Sequence, residues 1–255
     1  MRLLTSFGPL SALPAALLLA ACGASAPTAT QAAAAAAEGK VAARVATASA
    51  AAPVVVELFQ SQGCSSCPPA NANVNAIAGR PEVLALSFGV TYWDQLGWTD
   101  SFAKPQYTAR QWEYARAAGR PQVATPQVIV NGDRAIVGSN AAQLEKELTA
   151  AGSPKGGPAL VIEGASVKIG EGEGPASIVW LVRYDPKENQ VAIRAGENGG
   201  RTLPHRNIVR ELVRLGDWSG ARASFALPTA GEAGLRTAVL VQRGTGGPIT
   251  AAVKG

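Results

Sequence analysis

Two short, almost uninterrupted apolar runs, Val54-Val55-Val56-Glu57-Leu58-Phe59 and Val83-Leu84-Ala85-Leu86-Ser87-Phe88, flank a helix-compatible stretch from Ala70 to Ala78. Runs this short and this apolar predict strands covered on both faces, and the intervening helix makes them parallel neighbours. Pro105 to Ala118 predicts a second helix, with Trp112 and Tyr114 inside it and Gly119 and Pro121 ending it. Gln127 to Val130 is a third strand, Asn131-Gly132 a hairpin signal and Arg134 to Val137 a fourth strand. Asn140 to Ala150 is a last helix capped by Ser139 or Asn140.

Beyond the Gly152 to Pro158 linker the pattern changes to alternating apolar and polar positions. Ala159 to Ile169, Ser177 to Tyr184, Gln190 to Ala195, Ala221 to Leu227, Leu235 to Gln242 and Pro248 to Val253 read as strands, and Asn207 to Leu215 as strand or short helix. The order βαβαββα in the first half is that of a thioredoxin fold. The chain is therefore expected to form an α/β thioredoxin-like domain at residues 54–152, followed by a smaller mostly-β domain at 158–255, an antiparallel sandwich or sheet without evident chemistry of its own.

At the junction of the first strand and first helix stands Gly63-Cys64-Ser65-Ser66-Cys67-Pro68-Pro69. Orphan N–H groups and the positive end of the helix dipole favour a thiolate at Cys64, and Cys67 is close enough to close a ring onto it. That chemistry is thiol–disulfide exchange, with Cys64 as the exposed attacking thiolate and Cys67 as the resolving thiol. Ser65 and Ser66 offer donors to the thiolate, and Pro68 and Pro69 are tolerated in the first helical turn. Zinc needs four ligands, and beyond this pair only Cys22 and the single His205 are candidates, so no metal and no cofactor are assigned. A disulfide between residues three apart closes a short loop and constrains the unfolded chain little, which argues for reactivity over a structural bridge.

The N-terminus bears on where such chemistry runs. Arg2 and the apolar Leu3 to Leu18, interrupted by Pro9 and Pro14, read as a signal peptide over residues 1–21. Leu19-Ala20-Ala21-Cys22 resembles the lipobox of bacterial lipoproteins, with Cys22 acylated; an ordinary secretory signal is the alternative. Residues 22–53, mostly Ala, Ser and Thr, read as a disordered tether. The protein is thus expected to be exported to the periplasm and anchored to the membrane, in a compartment where disulfides persist. A lipid on Cys22 accounts for the third cysteine and leaves Cys64 and Cys67 as a pair. The formal net charge of +5 is spread along the chain without a basic stripe, so no nucleic-acid partner is expected.

Other residues are candidates for the same site. Pro126, after Thr125, sits where proteins of thioredoxin fold carry a cis-proline facing the CxxC, and Thr125 would then pair with an extended substrate; a trans proline opening an edge strand is the alternative. Glu57, seven residues before Cys64, is a candidate buried acid passing protons to the resolving cysteine, or else a carboxylate meeting solvent or an arginine. Tyr92, Trp93 and Trp98 lie in an aromatic-dense loop and form a platform for a substrate peptide or pack beneath the loop as core. Asp94 reads as a cap or pairing residue of that loop, and His205 as a surface residue.

Several blocks carry a family resemblance. Glu57 to Ala70 around the CxxC, Tyr92-Trp93-Asp94 with Leu96-Gly97-Trp98, Thr125-Pro126-Gln127 with Val130-Asn131-Gly132, Gly196-Glu197-Asn198 with Gly200 to Leu203, and Val209 to Leu212 resemble the thioredoxin-like family catalogued as domain of unknown function 1223. The resemblance runs from Val54 nearly to the C-terminus. It implies a thioredoxin fold, export and a redox role, in a family without a settled biochemical function. One departure stands out, Gly89 where the family pattern suggests His, and a mechanism needing an imidazole there does not carry over. The expected function is that of an exported thiol–disulfide oxidoreductase acting on periplasmic protein thiols or disulfides, with a redox-recycling partner. The alternatives are a non-catalytic binding protein with a structural disulfide and a copper(I)-handling thiol pair.

Overall fold

Strand β1 (Val54–Gln60) and strand β2 (Val83–Gly89) are buried at every position, which is why neither alternates in sequence. A computed structural model describes residues 53–255, and all of them belong to one unit. The expected signal peptide (1–21), Cys22 and all but the last residue of the expected tether lie outside the described residues. β1 and β2 pair in parallel from Val54 opposite Val83 to Gln60 opposite Gly89. Helix α1 (Pro68–Ile77) lies in the crossover between them, with two prolines in its first turn where their missing N–H groups cost no intrahelical bond. Helix α2 (Pro105–Ala117) follows, then β3 (Gln127–Val130) antiparallel to β1, β4 (Arg134–Ile136) and helix α3 (Ala141–Ala151), whose first turn Asn140 caps by accepting from Gln143 N at 3.0 Å. At the β3–β4 turn Asn131 and Gly132 both take positive φ; a Cβ on Gly132 would also stand 2.6 Å from the Gly247 carbonyl oxygen.

The second half is all strand: β5 (Leu160–Glu163), β6 (Ser166–Ile169), β7 (Ser177–Asp185), β8 (Asn189–Ala192), β9 (Thr202–His205), β10 (Ile208–Trp218), β11 (Ala223–Ala226), β12 (Arg236–Arg243) and β13 (Ile249–Lys254). Here the fold departs from the expectation of a thioredoxin-like domain with a smaller β domain appended. Strands from both halves form a single mixed eight-stranded sheet in the order β13-β12-β7-β10-β2-β1-β3-β4, accompanied among the described residues by three α-helices. The physical seam is β2 against β10. Ser87 N donates to Asn207 O at 2.9 Å, and the Asn207 amide, on a left-handed backbone (φ 51°), donates to Ala85 O at 2.9 Å. β2 has an inner position in this larger sheet, so the chain is a sheet-dominated α/β fold whose two halves share one sheet. The sheet also curls back on itself, for Ile249 N donates to Asn131 O at 2.8 Å.

Three cores follow from the alternation along the strands. Val55 and Phe59 of β1 join Leu84, Leu86 and Phe88 of β2 and Tyr107 and Tyr114 of α2 on one face, with Val182 and Leu240 from the second half. Phe59 stacks on Phe88 with ring centroids 5.2 Å apart, and Tyr107 meets Phe88 edge-on at 5.3 Å; such pairs add about 0.5–1.5 kcal/mol each to the burial term. The other face of β1 (Val54, Val56, Leu58) packs on Val74 and Ile77 of α1 and Leu144 and Leu148 of α3. The third core lies between the three-stranded sheet β11-β6-β5 and Val179, Leu181, Val239 and Val241 of the large sheet. Among the described residues no helix is long and apolar enough to cross a membrane.

Candidate functional site

The end of β1 leads into a tight loop, Ser61 to Cys67, that presents the two thiols at the start of α1. Cys64 N donates to Ser61 O and Cys67 N to Cys64 O, each at 3.2 Å, and Cys67 is the N-cap residue of α1. Both cysteines are free thiols here. Cys64 Sγ lies 3.3 Å from Ser66 Oγ and 3.8 Å from Thr125 O, and Ser66 Oγ donates to Thr125 O at 3.4 Å. The two thiols are electrostatically unequal. The hydrogen bond from Cys67 brings the Cys64 thiol down to about 6, against the opposing effect of burial and with help from Ser66 and Thr125. Burial, reinforced by the bond to Cys64 and the charge it carries, pushes Cys67 upward. Cys64 is therefore the more acidic thiol of the two, and the expected exposure of Cys64 is not found. Cys64 has 0% of its surface open to solvent, while Ser65 and Ser66 are exposed.

Three segments close over this pair. The Thr125–Pro126 peptide bond is cis, and Thr125 Oγ1 accepts from Trp93 Nε1 at 2.7 Å. Gln111 of α2 ties down the same turn by donating to Ala124 O at 2.9 Å and Gln127 Oε1 at 2.8 Å, and it accepts from Tyr92 OH at 3.2 Å. Trp98 Nε1 donates to Gln62 Oε1 at 2.9 Å, and Gln62 N donates to Asp100 Oδ2 at 2.7 Å. Tyr92, Trp93 and Trp98 are all half-buried, and each spends its polar atom on a residue beside the thiols, Gln111, Thr125 and Gln62 in turn, which braces the site. Asp94 accepts from Asp100 N at 3.1 Å, a capping contact within the same loop. Burial pushes the Asp100 carboxyl up to about 6 although two backbone N–H groups bind it.

The third segment comes from the second half. Asn198, fully buried in the turn between β8 and β9, donates through Nδ2 to Gln62 O at 2.9 Å and to Cys64 O at 2.8 Å, and Arg201 fixes its other end by donating to Oδ1 at 2.7 Å. Its neighbour Glu197 accepts from Ser65 N at 2.9 Å, inside the CxxC itself. Beyond Pro126, on the opposite side, a groove of about 380 Å³ is lined by Arg120, Val123, Pro126, Gln127, Ile136 and Val137, among others.

Of the two readings of Glu57 the structure gives the pairing with an arginine, and the reading of His205 is corrected. Glu57 does not face the thiols as a proton relay. It points to the α2 face of β1, where Arg110 Nε donates to Oε1 at 2.7 Å and Tyr114 OH donates to Oε2. Both oxygens of the carboxylate are taken, and side-chain exposure is 0% for Glu57 and 2% for Arg110. His205 is not a surface residue: it is 1% exposed, Nδ1 lies 3.2 Å from Asn71 Nδ2, its ring meets Phe102 edge-on at 5.8 Å, and burial brings it down to about 4. At Gly89 a Cβ would stand 2.8 Å from Ala103 N and 2.9 Å from Phe102 C, so the backbone leaves no room for an imidazole there. Among the described residues no group of three or more His, Cys, Asp or Glu is arranged to hold a metal ion.

Gln62, Asp100, Arg110, Gln111, Glu197 and Asn198 were not legible as site residues. The one local signal for the last two is an acid and an amide set among glycines, Gly196-Glu197-Asn198-Gly199-Gly200, in a turn too polar to pack for its own sake.

Comparison with known proteins agrees with this architecture. The crystal structure of protein AGR_C_4864 from Agrobacterium tumefaciens superimposes with a TM-score of 0.67 at 31% identity, over 79% of this chain and 92% of that one. HBP35 of Porphyromonas gingivalis is similar in fold, with a TM-score of 0.55 at 14% identity over 80% of this chain and 74% of that one. No curated protein matches. A family model described as "Protein of unknown function (DUF1223)" matches residues 55–242. The chain belongs to the DUF1223 family.

Proposed function

We propose that the protein is a thiol–disulfide oxidoreductase in which Cys64 attacks and Cys67 resolves. The observation that carries this reading is the pair of free thiols at the start of α1 beside the cis Thr125–Pro126 peptide, Cys64 Sγ 3.8 Å from Thr125 O; the acidities agree, Cys64 lowered to about 6 and Cys67 raised. At neutral pH Cys64 is then largely thiolate, the nucleophilic form, while Cys67 keeps its proton until a mixed disulfide has neutralised Cys64. In the direction that reduces a partner, Cys64 attacks one sulfur of the partner disulfide, the partner S–S bond breaks and one partner thiolate leaves. Cys67 then loses its proton to solvent and attacks Cys64 Sγ, releasing the second partner thiolate and leaving Cys64 and Cys67 joined. Two electrons pass to the partner in all, and the reverse sequence oxidises a partner dithiol. Thr125 and the cis Pro126 form one wall of the reaction site, with the groove beyond Pro126 as landing surface for the partner protein.

The proposal extends to place: an exported protein, held to the membrane by a lipid on Cys22, meeting periplasmic protein thiols and a recycling redox partner. The sequence Leu19-Ala20-Ala21-Cys22 supports this, as does the need for a compartment where disulfides survive. The test is an exchange assay with a protein disulfide and a chromogenic disulfide, comparing wild type with Cys64→Ser and Cys67→Ser. Loss of turnover in the first, and a trapped mixed disulfide on Cys64 in the second, are expected. Undiminished turnover in Cys64→Ser would overturn the proposal.

A further inference from the structure

The second half of the chain brings an acid to the thiols. Glu197 is exposed, yet its carboxylate sits at a fixed place, bound to Ser65 N at 2.9 Å, and the bonds from Ser65 hold the carboxyl below its usual range, so it is charged at neutral pH. Its position is set from behind: the adjacent Asn198 is fully buried and clamped to Gln62 O, Cys64 O and Arg201. Among the described ion pairs none includes Glu197. Arg201, in the same turn, donates to the Asn198 amide, and no cation is among the causes that lower the Glu197 carboxyl. The carboxylate of Asp94, also in the closing loop, accepts from Asp100 N, and Asp100 is buried behind Gln62. A fixed negative charge therefore stands on the backbone of the CxxC, one residue from Cys64.

From this geometry we propose that Glu197 is the specificity-determining residue of the thiol site and selects partners that carry positive charge next to their reacting sulfur. The inference rests on the redox function proposed above and adds the class of partner. A cationic flank gains from Glu197 as it approaches Cys64, whereas an anionic flank is repelled. For unit charges about 7 Å apart in water the effect is roughly two- to threefold in rate per charge. The charge does not alter which bond forms or breaks; it alters the concentration of the correct encounter.

Two small disulfides isolate the effect, the dianion 5,5′-dithiobis(2-nitrobenzoate) and the dication cystamine, each reacted with the reduced full chain. Both are attacked by the same thiolate, so the ratio of their rates cancels any change in Cys64 acidity. In Glu197→Gln the anion-to-cation rate ratio is expected to rise about fourfold or more, and further in Glu197→Lys. Glu163→Gln, a charge change on the distant β5–β6 turn, should leave the ratio unchanged. For wild type alone, raising the salt from about 20 mM to 500 mM should move the ratio in the same direction by screening, a readout that needs no variant to fold. A ratio that stays constant in both Glu197 variants and across salt, with exchange otherwise intact, overturns the role of Glu197 and leaves the redox function standing. A wild-type protein that reacts with neither disulfide overturns both.

Discussion

The Glu57–Arg110 pair separates the structural account of the first strand from a catalytic one. Glu57→Gln keeps the size of the side chain and an acceptor, and it removes the charge. Arg110, 2% exposed, then keeps Gln242 Oε1 at 3.2 Å and Tyr114 OH at 2.9 Å as neutral partners, with its guanidinium lying 5.4 Å over the Trp180 ring. None of these balances a buried cation. Breaking a buried pair from one side costs about 3–5 kcal/mol, out of a total of about 5–15 kcal/mol for a typical domain. In a chain of this size the loss corresponds to a fall in melting temperature of roughly 10 °C. Urea unfolding followed by tryptophan fluorescence should show that loss, and the double variant Glu57→Leu with Arg110→Met should recover most of it. The pH midpoint of Cys64 alkylation should stay where it is. A stable Glu57→Gln protein whose thiol-exchange profile loses an ionisation would refute this reasoning and restore Glu57 as a proton relay.

Two buried ionisable groups give opposite pH signatures. Burial holds His205 at about 4, below its unfolded value, so the unfolded state binds more protons and stability falls as pH drops from about 6.5 to 4. Relative to wild type, His205→Gln should gain about 3 kcal/mol over that interval in urea unfolding. Asp100 is raised to about 6, so the folded state holds the extra proton and its contribution is lost as pH rises through 6; Asp100→Asn should gain about 3 kcal/mol on wild type between pH 4 and 7. Curves for either variant that run parallel to wild type would contradict the assignment. Gly89→Ala places a methyl 2.8–2.9 Å from the backbone of Phe102 and Ala103 and should cost about 1–3 kcal/mol by forced displacement. A neutral effect on the unfolding midpoint would mean that the Phe102 strap yields freely.

The local elements were legible because they rest on local causes. The apolar run at Val54 to Phe59, the double proline opening α1, the Asn140 cap and the Asn131-Gly132 turn each carry their structure within a few residues. The assembly was not. Whether β2 is an edge or an interior strand depends on Asn207, more than a hundred residues away, turning its amide onto Ala85 O, and periodicity holds no trace of such a contact. The same limit applies at the site. The CxxC and Thr125-Pro126 announce themselves, but Glu57 was ambiguous until its partner on α2 was known. His205 read as exposed because its apolar neighbour, Phe102, comes from a distant loop. Glu197 and Asn198 reach the thiols only because the second half of the chain joins the sheet of the first.

Mass-mapped alkylation of the reduced protein across pH 4 to 10 reads the chemical inequality of Cys64 and Cys67 thiol by thiol. Modification of Cys64 should titrate with a midpoint near 6, slowly in absolute rate because its surface is covered, while Cys67 stays unlabelled until the protein unfolds. Equal labelling of the two thiols, with a common midpoint at the ordinary thiol value of about 8.5, would contradict that inequality.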